Sequence, residues 1–255
     1  MEFFDLMNIS HRYMEILNPS TPEKIIKLGR LLDLKKGKRV IDFGCGCAEP
    51  LTLWAKEFGI TGIGIDISED FCDRARKKLA SRGLSDKIEI VCSDAADFVF
   101  EEGVFDAATC IGATFIFGGY QKTIQAMKSA VRQNGRLGIG ETYWLADLVH
   151  PEYAQKQTTT HTEPQLTQFT RDEGFELEYI IRASDDDWDR YISDSWYGLV
   201  RWLEENPSHP DYEQVFKHFR TDQDDYTQFQ RRYMGWAMYC LAPMKSRPTD
   251  SHLLK

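Results

Sequence analysis

Short, continuously apolar runs alternate along this chain with longer stretches whose apolar residues recur at helical spacing. Arg39–Phe43, Gly62–Asp66, Ile88–Cys92, Phe105–Ile111 and Arg136–Gly140 are apolar on successive residues, which predicts strands buried on both faces of a sheet. Between them, Pro50–Phe58, Glu69–Arg82 and Gln121–Val131 read as helices, and a short helical piece is expected after Asp94. Ser68 is placed to cap the second of these helices and Gly83 to end it, while Asn134-Gly135 marks the turn into the fifth strand. Strands and helices in this alternation predict an α/β fold with a doubly wound, mostly parallel sheet.

The flanks read differently. Residues 1–18 carry Phe4, Met7, Tyr13, Met14 and Leu17 at loosely helical intervals. Asn18-Pro19-Ser20-Thr21-Pro22 then breaks the chain, and a second helix runs to about Leu34, capped by Ser20 or Thr21. These two helices, residues 1–35, are expected to cover the ligand site as a lid. Pro164–Glu173 reads as a helix, Phe175–Ile181 as strand six and Tyr233–Ala242 as a seventh, antiparallel strand. Residues 183–230, dense in acids and aromatics, read as a helical insertion between these last two strands. One domain is therefore expected, with its core in 36–182 and 231–243. The polar tail beyond Pro243 is expected to fray.

Composition narrows the partners. At 255 residues, 42% hydrophobic and 28% charged, the chain suits a single soluble domain. Its apolar runs fall short of the ~20 residues a membrane span needs, and the acidic N-terminus lacks the basic start of a signal peptide. Six scattered cysteines without disulfide-scaffold spacing fit a reducing cytoplasm. A net charge of −9 argues against a nucleic-acid partner. The dense basic run at residues 35–39 is read as a solvated turn. The pattern does not speak to oligomeric state.

The stretch Val40–Asp66 carries the chemistry. A strand that runs into Gly44-x-Gly46 lets the backbone turn tightly and approach a ligand. Asp66, at the tip of the next strand, is placed to accept hydrogen bonds from both hydroxyls of an adenosine ribose. A dinucleotide fingerprint would need glycine at position 49, where Glu49 stands, and a carboxylate there would repel a pyrophosphate. A phosphate-free adenosine cofactor with an amino-acid moiety meets no such objection.

Residues 36–145 resemble the class I S-adenosylmethionine-dependent methyltransferases, whose fold is Rossmann-like. The family's first motif is matched by Asp42-Phe43-Gly44-Cys45-Gly46-Cys47-Ala48, with alanine in place of the last glycine. Its ribose-binding acid resembles Asp66, followed by Ile67. Its adenine-contacting acid resembles Asp94, followed by Ala95. The strand-four segment that holds Cys110 resembles the one lying against the methionine half of the cofactor. The turn before strand five, often Lys-Pro-Gly-Gly, appears as Arg132-Gln133-Asn134-Gly135. The resemblance extends to a YjhP-type small-molecule subgroup through Gly112–Gly119, Glu141-Thr142-Tyr143-Trp144, residues 188–191 and residues 201–207. It implies S-adenosyl-L-methionine as cofactor, S-adenosyl-L-homocysteine as product, and a cofactor set of Asp42, Gly44, Cys45, Gly46, Cys47, Asp66, Ile67, Asp94, Ala95 and Cys110. Tyr13, by likeness to N-terminal lids, is expected to close over it.

Methyl transfer from a sulfonium needs positioning more than acid–base help. Glu141, just past strand five, is the first candidate to accept a proton or orient the acceptor, with Tyr143 beside it. Trp144, Trp188, Tyr191 and Trp196 are candidate substrate contacts, although aromatics at helical spacing are more often core. Tyr197 and Trp202 extend the same stripe. The neighbouring acids Asp185, Asp186, Asp187 and Asp189 would suit an amine or sulfonium acceptor. Cys45 and Cys47 have no His/Cys pair nearby to complete a metal site, so none is expected. His11 and His161 stand isolated, His161 as a possible second base. A cofactor-binding sensor without turnover, and a protein methyltransferase, are the alternatives to a small-molecule enzyme.

Overall fold

The computed structural model describes residues 1–146 and 148–244. Two helices, α1 (Phe3–Ser10) and α2 (Pro22–Leu31), precede the first strand, β1 (Arg39–Phe43). The chain continues as α3 (Glu49–Phe58), β2 (Thr61–Asp66), α4 (Glu69–Ser81), β3 (Ile88–Cys92), β4 (Phe105–Ile111), α5 (Tyr120–Met127) and β5 (Val131–Trp144). It ends with α6 (Pro151–Lys156), β6 (His161–Thr162), α7 (Glu163–Asp172), β7 (Phe175–Arg182), α8 (Asp185–Glu205), α9 (Tyr212–Asp225) and β8 (Met234–Pro243).

The sheet runs β3-β2-β1-β4-β5-β8-β7, with the two-residue β6 added beside the far end of β5. Pairs among β1 to β6 are parallel, and β8 is antiparallel to both β5 and β7. Successive residues of β1 and β4 serve opposite faces. Val40, Ala107 and Ile111 pack under Leu28, Leu51 and Trp54, while Ile41, Ala108 and Cys110 pack against Ile124, Met127 and Leu166. That two-sided burial explains the unbroken apolar runs. Thr21 caps α2 by accepting the Lys24 amide at 3.3 Å, and Ser68 caps α4 by accepting that of Phe71 at 3.3 Å.

Three expectations are corrected. β5 is longer at both ends than Arg136–Gly140: Val131, expected to close a helix that in fact ends at Met127, pairs with Phe105 of β4, and β8 pairs the strand as far as Trp144↔Met234. Glu141, Tyr143 and Trp144 therefore lie in a strand. The stretch after Asp94 is a turn, closed by Asp94 Oδ1 accepting the Ala96 amide at 2.9 Å. The pieces α6 and β6 were not foreseen, since neither is long enough to show a period. The tail from residue 245 lies outside the described residues.

The 183–230 stretch folds as α8, α9 and a π-helical turn at Tyr226–Gln230. It has a small core of its own, Leu199, Leu203, Val215 and Phe219, completed by Met1, Leu6 and Ile9 from the N-terminal end. Thus α1 packs on α8. Gly198 permits it: a Cβ there would stand 2.5 Å from the Ser10 carbonyl oxygen and 2.7 Å from that of Ile9. In contrast, α2 packs on α3, with Trp54 Nε1 donating to the Ile25 carbonyl at 2.8 Å.

Gly198→Ala gains a better helix former, by about 1 kcal/mol, yet drives a methyl group into backbone that has nowhere to give. We expect overpacking of about 1–3 kcal/mol to dominate, so that equilibrium urea denaturation shows a net loss of stability. Equal or greater stability would show that the α1–α8 contact yields.

Candidate functional site

In an open parallel sheet, the crevice lies where neighbouring connections leave for opposite faces, here between the carboxyl ends of β1 and β4. A cavity of about 290 Å³ opens at that point. The turn after β1 forms its floor. Gly44 has φ +69°, and a Cβ on it would stand 2.5 Å from that of Ala113, so only glycine lets the two loops approach. Ala48 also adopts a left-handed conformation, φ 53°, where the family has glycine and alanine is strained.

Nine of the eleven residues expected at the cofactor line this cavity: Asp42, Gly44, Cys45, Gly46, Cys47, Asp66, Ile67, Asp94 and Ala95. Cys110 is not among them; it is buried in the layer under α5. Tyr13 is not either. It is 51% exposed, with the Arg12 guanidinium over its ring and Tyr197 5.5 Å away. Absent from the sequence-based set are Phe3, Phe4 and Met7 of α1, Glu15 to Asn18 of the segment after it, and Phe71, Phe115 and Ile116. The proline break after Asn18 could have flagged the segment, but nothing local says that α1 folds back over the turn.

Two buried carboxylates stand at the floor. Asp66 Oδ2 accepts the Gly46 amide at 2.7 Å and Oδ1 accepts that of Ser68 at 2.9 Å, which ties the glycine turn to β2. Burial nevertheless pushes its carboxyl above the usual range. Asp42 accepts the Thr109 hydroxyl at 2.6 Å, and burial raises it to about 7. Asn18 donates to the Ile111 carbonyl at 3.5 Å, while its Oδ1 is buried with no hydrogen-bond partner among the described residues. Cys45 and Cys47 are buried free thiols, raised by desolvation, that of Cys47 to about 11.

Glu49 lines the cavity but is not a bare charge. Lys78 Nζ approaches it at 2.6 Å and Arg82 Nη1 at 3.2 Å. The repulsion expected from the sequence is thus largely matched from α4.

The residues expected to act on an acceptor stand elsewhere. Glu141 is half-buried at the carboxyl edge of β5. It accepts the Thr114 hydroxyl and, through Oε1, the Thr142 amide at 2.7 Å and hydroxyl at 3.1 Å. Burial raises its carboxyl. It does not line the cavity, but its partner Thr114 adjoins Ala113 and Phe115, which do. Tyr143 points into the layer on α7's side, its ring beneath Gly235, and burial raises its phenol. Trp144 meets the Tyr153 ring edge-on at 6.0 Å. Trp188 and Tyr191 pack into the core beneath α8, and Trp196 Nε1 donates to Asp222 at 2.7 Å. The three on α8 join that helix to its neighbours, and none of the four lines the cavity.

Three of the four acids singled out on α8 are likewise engaged, Asp186 being the exception among the described residues. Asp187 pairs with Lys24 and caps its own helix with Ser184, Asp189 holds Arg231 at 2.8 Å and accepts the Tyr226 hydroxyl, and Asp185 lies 3.1 Å from Arg231. His11 is buried rather than isolated. Burial lowers it to about 4, so the ring is neutral; its Nδ1 lies 3.1 Å from the Met7 carbonyl, which can only accept, and this leaves Nε2 to accept from the Tyr191 hydroxyl at 3.0 Å. His161 meets Phe169 edge-on at 5.0 Å.

Asp42 supplies a pH test of this electrostatics. Between about pH 4 and 7 the folded chain keeps a proton that the unfolded carboxyl, at 3.8, releases, so this group costs stability as pH rises through that window. Asparagine keeps the Thr109 hydrogen bond without the charge. The stability of Asp42→Asn relative to the unsubstituted chain is expected to increase from pH 5 to pH 8 in urea titrations; parallel pH profiles would refute it.

Comparison with known proteins agrees with this geometry. The family described as "Methyltransferase domain" matches residues 40–135. The uncharacterised protein YjhP of Escherichia coli is 33% identical over 246 residues, 94% of this chain and 99% of that one. The crystal structure of a SAM-dependent methyltransferase from Geobacter sulfurreducens in complex with S-adenosyl-L-homocysteine superposes with a TM-score of 0.88. It is 32% identical, and the match covers 94% of this chain and 98% of that chain. Over 138 residues, 52% of this chain and 51% of the other, 27-O-demethylrifamycin SV methyltransferase of Amycolatopsis mediterranei is 25% identical. With the motif turn, the switch-point cavity and a full-length relative in agreement, the chain belongs to the class I S-adenosylmethionine-dependent methyltransferases, in the group that includes YjhP.

Proposed function

We propose that this enzyme methylates a small, largely apolar molecule that reaches the cavity past the aromatic side chains at its rim. The observation that carries this reading is the rim itself. Phe3 is 57% exposed, Phe115 54% and Phe4 37%, and Phe3 meets both other rings edge-on, at 5.3 and 6.2 Å. Exposed aromatics gathered at a cavity mouth cost solvation unless something apolar covers them. Asp185, Asp187 and Asp189 of α8, paired with lysine and arginine, lend little to a cationic acceptor. The partial match to a methyltransferase named for 27-O-demethylrifamycin SV supports a small-molecule acceptor, and the net charge of −9 weighs against nucleic acid. No helix among the described residues is long and apolar enough to cross a membrane. Six free thiols support a reducing cytoplasm as the enzyme's location.

The residues present fit the cofactor. Asp42 and Asp66 offer buried acceptors where ribose hydroxyls and an ammonium would need them, Asn18 Oδ1 is an acceptor without a donor, and Ile67, Phe71 and Ala95 give an apolar wall for a base. When bound, the cofactor supplies an electrophilic methyl group on a sulfonium leaving group. The chain's part is to orient and to exclude water. Residues 1–18 act as the lid and the 183–230 insertion braces it, on a single domain whose core is the sheet.

Glu141 fits a positioning role better than that of a base. It holds Thr114, and with it the turn Thr114–Phe117 that forms one wall. Glu141→Gln is expected to lower kcat about tenfold while S-adenosylhomocysteine affinity stays within about threefold. Unchanged turnover would remove Glu141 from the reaction.

The acceptor class is tested with methyl-labelled S-adenosylmethionine and a cell extract separated by size and then by solvent partition. Label is expected in the small-molecule, organic-soluble fraction. Label in protein would favour a protein methyltransferase, and tight cofactor binding without label in any fraction would favour a sensor.

A further inference from the structure

We infer that Arg74 and Lys78 on α4 latch residues 11–18 over the cofactor and so set how fast cofactor and product leave. The two side chains are four residues apart and therefore share one face of the helix. Arg74 donates from Nη1 to the His11 carbonyl at 3.0 Å and from Nη2 to the Met14 carbonyl. Lys78, its side chain 8% exposed, bridges Glu15 on the covering segment and Glu49 at the start of α3. Between these anchors and the proline break, Glu15, Ile16, Leu17 and Asn18 line the cavity. Leu17 lies directly on the glycine turn, where a Cβ on Gly46 would meet its Cδ1 at 2.6 Å.

The other edge of the segment is fixed to the insertion. His11 bonds to Tyr191 through Nε2, Arg12 pairs with Glu205 at 2.9 Å, and Arg190 donates to the Ser20 carbonyl at 2.7 Å. His11 is thus the joint: its carbonyl belongs to the cofactor side and its ring to α8. A ligand buried against Asp42 and Asp66 has this segment as one wall. Each Arg74 bond is charge-assisted and partly shielded from water, the setting in which such bonds are strongest. Arg74 and Lys78 touch no reacting atom; they are positioning residues. Guanidinium geometry lets Arg74 hold two carbonyls three residues apart, which an ammonium cannot reproduce.

The inference rests on the cavity being the cofactor site. Its test is the dissociation of S-adenosylhomocysteine from the full chain, followed by stopped flow, with affinity by calorimetry. Arg74→Ala is expected to speed dissociation about tenfold or more while association changes less than about twofold, with Arg74→Lys in between. Damage to the fold would instead reduce the fraction of protein that binds, without accelerating release from the rest. Should Arg74→Ala fail to fold, Glu15→Gln leaves α4 intact, removes the Lys78 pairing on the covering segment, and is expected to speed release about threefold. Dissociation within about twofold of the unsubstituted chain in both Arg74→Lys and Glu15→Gln overturns the latch. Failure of the unsubstituted chain to bind S-adenosylhomocysteine overturns the cofactor-site reading, and the latch with it.

Discussion

The close approach of the loops that follow β1 and β4 is the constraint on which the site depends. Because the sheet order reverses between these strands, their connections leave for opposite faces and a crevice is left at their ends. The crevice is a binding site only if the chain can turn within it. Gly44 allows that turn, and Asp66 fixes it by receiving the Gly46 amide. The same acid therefore shapes the floor and lines the cavity, with its two amide hydrogen bonds offsetting the desolvation that opposes a buried carboxylate.

Charge in this protein is spent mainly on holding elements together. Asp187 of α8 engages Lys24, and Asp185 and Asp189 engage Arg231, anchoring the insertion to α2 and to the turn before β8. Glu49 engages α4. What faces the cavity mouth is aromatic, from α1 and from the turn after β4. An acidic composition thus coexists with an apolar entrance, and the insertion contributes to the site by bracing the covering segment through Gly198 and Tyr191.

The core was legible because two-sided burial leaves an unmistakable trace: β1 to β4 begin and end within a residue of the apolar runs. The glycine turn and its acids were legible because backbone conformation and ribose chemistry permit few residues there. The insertion's aromatics were harder to read, since a helical stripe of Trp and Tyr looks the same whether it faces a ligand or a neighbouring helix. Trp196 bonded to Asp222, and Trp188 in the core, are of the second kind. Glu141 was placed by sequence near the site, but its three hydrogen bonds to Thr114 and Thr142 depend on a strand extended by β8.

By itself, the sequence determined the alternating strands and helices and the tight turn at Gly44 with Asp66 beyond it, and its resemblance to the methyltransferases added Asp42, Asp94 and the cofactor. These are local properties: periodicity, permitted φ, and the chemistry of a few residues close together in the chain. Only the tertiary structure decided which distant segments line the cavity and what the insertion's charges hold. Both depend on contacts between segments far apart in sequence, such as His11 with Tyr191 and Glu15 with Lys78, which pattern along the chain does not encode.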